Sequence, residues 1–380
     1  MSTKSLIFGD KVLLVIVLLL SLFSFFPVFS SSSYLSYVID GASPIYYLVK
    51  HLIVILFGFI LMLSIKLVPF KFFRGMSIIL LPIGIGLLVY TLSQGTIIGG
   101  SAASRWIDIP FVGISFQTSS LAAIIIITYT ARYLSKVELS KTKFSETLIP
   151  LWLPIFTYIF LIFPANFSSA FLIFTALVIT LFISGFPLRH LFKVFLILGF
   201  LLITFFFTAK TFPDKFPNRI DTWLSRIENF GSNKNLDASY QIERAKMAIN
   251  NGGLIGVGAG KSIMKNHLPQ SNSDFIFAII VEEWGSIGGA FIICLYILMF
   301  FRFLSITHRI DDRFGKILVS GLGVFIIIQA FTNISVATQI IPVTGQNLPL
   351  ISSGGSSAWM TCISLGMILS VSSSIKNKNG

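Results

Sequence analysis

Three acids stand close together in a chain that has few of them. Asp274 closes a polar, basic stretch at 258–274 that carries Lys261, Lys265 and His267, and Glu282 and Glu283 follow inside an apolar run. Ionisable groups in hydrocarbon are costly and seldom incidental. An acid placed where a water-facing segment meets an apolar helix is suited to proton transfer or cation holding at a membrane surface. Along a regular helix Glu282 and Glu283 lie roughly 12–14 Å beyond Asp274. The two carboxylates of a glycosidase sit about 5–9.5 Å apart. If Asp274 does chemistry, it therefore works as a lone carboxylate, and the glutamates read as structural or cavity-lining groups. Asp274 has an equally plain alternative as the N-cap of the helix that follows, a task Ser273 could also perform.

The elements that must position these residues are membrane helices. Of the 380 residues, 54% are hydrophobic and only 11% charged, less than half the charge of an ordinary soluble domain. Apolar runs of about 20 residues, the length that crosses a bilayer, predict an all-α polytopic membrane protein. We place about ten transmembrane helices at 12–30, 46–65, 76–92, 119–135, 148–163, 167–184, 191–208, 275–301, 317–338 and 354–373, within one membrane domain over 1–380. A large extracytoplasmic loop at about 209–274 separates helices 7 and 8. The apolar run from Val12, preceded by Lys4 and Lys11, reads as a retained first helix rather than a cleaved signal. Cys294 and Cys362 lie in apolar runs and read as small buried residues.

The net charge of +13 raises the question of nucleic acid, and the placement of the charges answers it. With the N-terminus in the cytoplasm, 17 of the 28 lysines and arginines fall on the inner side, and most of the rest lie in the long outer loop. This is the positive-inside pattern, with both termini cytoplasmic and no nucleic-acid partner implied. The polar, glycine-rich segments 93–118, 209–274 and 339–353 then all face outward, where no nucleotide is available. No P-loop and no zinc-spaced His/Cys cluster occurs.

Each outward segment carries candidates with two readings. Arg105 could grip a phosphate and Trp106 could pack on a sugar or lipid, or the pair could anchor the membrane interface. Residues 240–249 suit a short amphipathic helix, stopped by the Asn250-Asn251-Gly252-Gly253 run. Lys261 and Lys265 are further phosphate partners, Lys265 favoured by its nearness to Asp274 in sequence. The last segment, Pro342 to Ser357, opens a span with small residues that let backbones approach closely.

Taken in order, these stretches resemble the SEDS family of bacterial cell-wall proteins, to which FtsW and RodA belong. The resemblance rests on S-R-W-I with S-F-Q, on Y-Q with the glycine run, on D-F-I-F-A-I-I-V-E-E-W-G-S-I-G-G, and on P-V-T-G with L-P and S-x-G-G-S-S. The A-S-R-W-I form and the Gly345-Gln346-Asn347-Leu348-Pro349 stretch look more like the division member than the elongation one. By this resemblance the essential acid falls on Asp274. Arg105, Trp106, Gln117, Glu282, Glu283 and Ser356 join Lys261 and Lys265 as substrate-binding positions. The chain departs from the family pattern where Gln270 to Ser273 precede the aspartate, where Thr118-Ser119-Ser120 follow S-F-Q, and at the Phe163-Pro164-Ala165-Asn166 hairpin, so that three usually charged intramembrane positions are neutral.

The resemblance implies a peptidoglycan glycosyltransferase that polymerises lipid II into glycan strands, in septal synthesis during cell division. Lipid II already carries a good leaving group in its pyrophosphate, so one base and charge balance suffice, without a nucleotide. A divalent cation, Mg or Mn, held by Asp274 would be one way to balance that charge. The implied partners are lipid II, a class B penicillin-binding protein and other division membrane proteins, in the cytoplasmic membrane at the septum. The alternatives are a lipid II flippase and a non-catalytic scaffold for the penicillin-binding protein.

Overall fold

The computed structural model describes residues 9–35, 43–94, 105–109, 114–138, 142–211, 236–268 and 270–376. Most of the predicted outer loop up to residue 235, and the start of the first outward segment, lie outside them. The described chain is almost wholly helical: α1 Lys11–Leu35, α2 Pro44–Leu67, α3 Lys71–Gln94, α4 Thr118–Lys136, α5 Phe144–Ile162, α6 Phe167–Ile183, α7 Leu188–Thr211, α8 Leu236–Gly252, α9 Ile276–Arg309, α10 Arg313–Ala337 and α11 Gly355–Lys376. Seven of these, α1, α2, α3, α5, α9, α10 and α11, are long and apolar enough to cross a membrane, and α6 is a shorter apolar helix. The protein is an integral membrane protein.

One feature departs from the all-α expectation. Trp106–Ile109 (β1) and Ile114–Gln117 (β2) form an antiparallel pair that sets Trp106 opposite Gln117. Trp106, Ile107, Ile109, Ile114 and Phe116 in these strands are β-branched or aromatic, types that favour extended pairing. The strands carry two of the candidate residues in register, and β2 runs straight into α4.

The core lies around α10, which packs against α4, α9 and α11. Ile125, Ile126 and Ile127 of α4 are buried, as are Leu318 and Leu322 of α10 and Leu365 and Ile368 of α11. Outer helices expose their apolar faces instead, as Ile53, Ile60 and Ile79 do. This is the arrangement a hydrocarbon solvent allows, because lipid is as apolar as leucine. At the end of α9 remote from Asp274, Arg302 makes a two-pronged ion pair with Asp10, at 2.8 Å for Nε–Oδ1 and 2.5 Å for the second prong. The Asp10 amide also donates to Ser372 Oγ of α11 (3.1 Å), which joins three helices there.

Helix α9 is the element that positions the acids, and it is broken in a specific way. Gly285 adopts φ 68°, ψ −175° inside it, which frees backbone groups on either side of the kink. Polar backbone in a membrane helix must find other partners, and the chain after α8 supplies them. Val257 and Gly258 donate to the carbonyls of Glu282 and Glu283, while Ser286 donates to Gly253 and Ile287 to Leu254. So close an approach needs glycine. A Cβ at Gly285 would lie 2.1 Å from the Leu254 carbonyl oxygen, and one at Gly256 only 2.3 Å from that of Glu283. The glycine run read as a helix stop thus does more than end α8 at Gly252. It repairs α9.

Candidate functional site

Asp274 sits one residue before the N-terminal boundary of α9. That boundary falls on Phe275, with no side-chain cap, so neither Asp274 nor Ser273 takes the capping role that the sequence left open. The main chain around Asp274 is pinned from two other elements. Asn333 of α10 donates from Nδ2 to the Asp274 carbonyl (2.9 Å) and to the Gln346 carbonyl (2.6 Å). Ser352 donates to the Ser273 carbonyl (2.7 Å), and Ser353 to that of Asn272.

The surroundings of the carboxylate come from three further places. Gly345, at φ +65°, passes so near that a Cβ there would lie 3.4 Å from Asp274 Oδ2. Arg105, at the start of β1, donates from Nε to the Ala165 carbonyl (2.7 Å) in the α5–α6 hairpin, which orients its guanidinium. Gln346 donates from Nε2 to Ser169 Oγ (3.0 Å), tying the Gly345 loop to the first turn of α6. Burial pushes the Asp274 carboxyl up to about 6, against the opposing pull of the Ser273 hydroxyl and the Arg105 charge. Such a group is largely ionised at neutral pH and still basic enough to accept a proton, the match that general-base catalysis needs.

Gln117 and Ser356 meet beside this site. The Gln117 amide donates to Ser356 Oγ (3.2 Å), and its side-chain carbonyl accepts from Ser120 (3.2 Å). Ser356 is buried in the first turn of α11, so its hydroxyl serves the β2–α4 junction.

The remaining candidates form a second cluster around the kink. Glu282 is wholly buried and Glu283 nearly so, at 0% and 1% exposed. Glu282 accepts from the backbone amides of Ile263 (3.2 Å) and Met264 (3.3 Å), from the Ser262 hydroxyl and from the Asn251 amide. Glu283 accepts from Ser30 of α1 and from the Ser262 amide. Lys265 donates to Ser30 Oγ (3.2 Å) and to the Gly260 carbonyl (2.8 Å). Between Lys265 and Asp274 the chain passes through Gln270, where φ is +60°. Lys261 is exposed on the loop, its amide bonded to the Gly258 carbonyl.

Sequence reasoning missed Asn333, Ser169 and Asn166 as neighbours of the site. Each is a polar residue near the end of an apolar helix, a signal that was present but weak. Among the described residues, no group of three or more His, Cys, Asp or Glu stands ready for a metal ion.

A bundle of membrane helices with one acid raised at its mouth beside an arginine is a candidate site for proton transfer at the membrane surface. The family model of the FtsW/RodA/SpoVE cell cycle proteins matches residues 10–377, and the chain belongs to that family. It is 31% identical over 333 residues to the probable peptidoglycan glycosyltransferase FtsW of Hydrogenovibrio crunogenus, covering 86% of this chain and 82% of that one. To the stage V sporulation protein E of Bacillus subtilis it is 29% identical over 366 residues, 96% of each. The fold is similar to that of a chain in a structure described as the structural coordination of polymerization and crosslinking by a peptidoglycan synthase complex, with TM-score 0.74 at 20% identity over 97% of this chain and 98% of that one. It is similar also to the rod shape determining protein RodA of Thermus thermophilus, with TM-score 0.67 at 20% identity over 96% of each chain.

Proposed function

We propose that this chain is a peptidoglycan glycosyltransferase that polymerises lipid II on the outer face of the bacterial cytoplasmic membrane, with Asp274 as its base. The observation that carries the assignment of the base is the Asp274 carboxyl itself, raised to about 6 at the head of α9 with the Arg105 charge close enough to act on it. In the reaction the acceptor sugar hydroxyl attacks the anomeric carbon of the donor, and the bond from that carbon to the pyrophosphate breaks. Asp274 takes the hydroxyl proton, and the electron pair of the broken bond leaves with the pyrophosphate. The leaving group needs its charge balanced rather than a proton, and Arg105 is placed to do this. A divalent cation, where one takes part, would be held by the Asp274 carboxylate and would supply further balance for the pyrophosphate charge.

The reading extends to topology and setting. Ten crossings, with α4, α6 and α7 joining the seven other apolar helices, put both termini in the cytoplasm and the large loop between the seventh and eighth crossings outside. Relatives named FtsW support a role in septal synthesis, with a class B penicillin-binding protein and other division proteins as partners. The test is polymerisation of labelled lipid II by the purified chain with its penicillin-binding partner. Asp274→Asn and Arg105→Ala should each remove glycan strands, Asp274→Asn by at least about a hundredfold, the usual contribution of a general base. Full activity in Asp274→Asn at equal folded protein would reject the assignment.

A further inference from the structure

The proposed reaction needs its base and its balancing cation at a fixed separation, and they reach the site on different elements. Asp274 precedes α9 and Arg105 precedes β1. A run of hydrogen bonds connects the two. Asn333 of α10 donates from Nδ2 to the carbonyls of both Asp274 (2.9 Å) and Gln346 (2.6 Å). The Gln346 side chain donates onward to Ser169 Oγ (3.0 Å) in the first turn of α6. Ser169 is fastened by its amide to Asn166 Oδ1 (3.1 Å) in the α5–α6 hairpin, whose Ala165 carbonyl accepts from Arg105 Nε (2.7 Å).

Asn333 is the centre of this run. It is 1% exposed, and both of its bonds use the NH2 end of the amide. The other end, Oδ1, is buried and has no hydrogen-bond partner among the described residues. An unpaired buried acceptor costs stability. A residue serving packing alone would be apolar here, so the amide is explained by the two carbonyls it holds together. Clamping Gln346 also fixes its neighbour Gly345, where a Cβ would lie 3.4 Å from Asp274 Oδ2.

The geometry points to Asn333 and Gln346 as positioning residues, a brace that holds Asp274 and Arg105 in register without touching the reacting atoms. The inference rests on the reading of Asp274 as base and Arg105 as the counter-charge of the leaving group. It adds what keeps the two apart at one distance: α10 grips the base through Asn333, and α6 receives the far end of the brace at Ser169. A displacement of about 1 Å at reacting groups can cost about a hundredfold in rate. Residues that only set such a distance act on kcat, because bound substrate keeps its contacts while the transition state loses its alignment.

The test compares Asn333→Ala, Gln346→Ala and the double variant with wild type in lipid II polymerisation. It uses the full-length chain with its penicillin-binding partner, matched for folded protein. Each single variant should lower kcat by about tenfold or more and leave KM within about twofold. Because the two residues act in series, the double variant should lose no more than the larger single loss. Wild-type kcat in both single variants, additive losses, or losses confined to KM would overturn the brace. Gln346 is partly exposed, so its variant keeps the test open should Asn333→Ala fail to fold. Hydrogen exchange supplies a readout that needs no reaction. The Leu348 and Ser353 amides, bonded to Ser352 Oγ and the Asn272 carbonyl, should exchange faster in both single variants, by about threefold or more. Strands from the wild type, with exchange and kcat unchanged in the variants, reject the brace alone. Faster exchange, with no strands from the wild type under any condition, supports the brace and rejects the polymerase.

Discussion

Asp274, just ahead of α9, and Glu282, inside it, stand eight residues apart, and the fold treats them in opposite ways. The glutamates are enclosed, and backbone amides and hydroxyls converge on them from the chain that follows α8 and from α1. Asp274 is only partly enclosed, its backbone is clamped, and its carboxyl is raised by burial. Glu282, met by the Ile263 and Met264 amides, the Ser262 hydroxyl and the Asn251 amide, is a fastener, because those donors lower the cost of its charge. An acid whose environment makes ionisation costly is one whose proton can be moved.

Removing a fastener should produce the largest loss. Glu282→Ala leaves the Ser262, Ile263 and Met264 donors without their acceptor, and should destabilise the purified protein by about 2–4 kcal/mol. Gly285→Ala attacks the same joint from the backbone side and should lower the melting temperature comparably, since its Cβ would meet the Leu254 carbonyl at 2.1 Å. A thermal melt in detergent checks both, and a wild-type melt in either would break the contrast.

Asp274→Asn should behave the other way. A carboxyl raised from 3.8 to about 6 binds its proton more tightly in the folded state than in the unfolded one. Its contribution to stability is therefore full below 3.8 and is lost as pH rises through about 6. At pH 7.5 the asparagine variant should melt at or above wild type, and at pH 4.5 the two should converge.

The same carboxyl sets the pH dependence of the reaction. With Asp274 as base, kcat/KM should fall on the acid side of a limb near pH 6, approaching tenfold per unit below it. A limb near 4 would say that Asp274 is not the titrating base. The smallest effect belongs to Gly345→Ala. It places a side chain at positive φ against Asp274 Oδ2, and should cost about 1 kcal/mol of stability with a severalfold loss of rate, read in the melt and the polymerisation assay.

Much of this contrast was legible in the sequence. The apolar runs place helices where the structure has them, because hydrocarbon leaves a chain few other choices. A regular helix through all three acids would put roughly 12–14 Å between Asp274 and the glutamates, an expectation that separated their work, whereas the helix begins only after Phe275. What the sequence did not disclose is three-dimensional closure. Lys265, favoured as a phosphate partner for its nearness to Asp274 in sequence, donates to Ser30 of α1, a contact that no local pattern announces. Asn333 and Ser169 are brought to the site by packing of α10 and α6, which no local pattern encodes. The β-hairpin was hidden because four-residue strands beside long apolar helices give almost no periodic signal.

The most direct measurement compares Asp274→Asn with Glu282→Gln in lipid II polymerisation, each supplied with the penicillin-binding partner and matched for folded protein at pH 7.5. The account predicts no glycan strands from the folded asparagine variant. It predicts strands at a rate near wild type from whatever fraction of the glutamine variant remains folded. Strands from Asp274→Asn at the wild-type rate, or a fully folded Glu282→Gln that makes none, would contradict it.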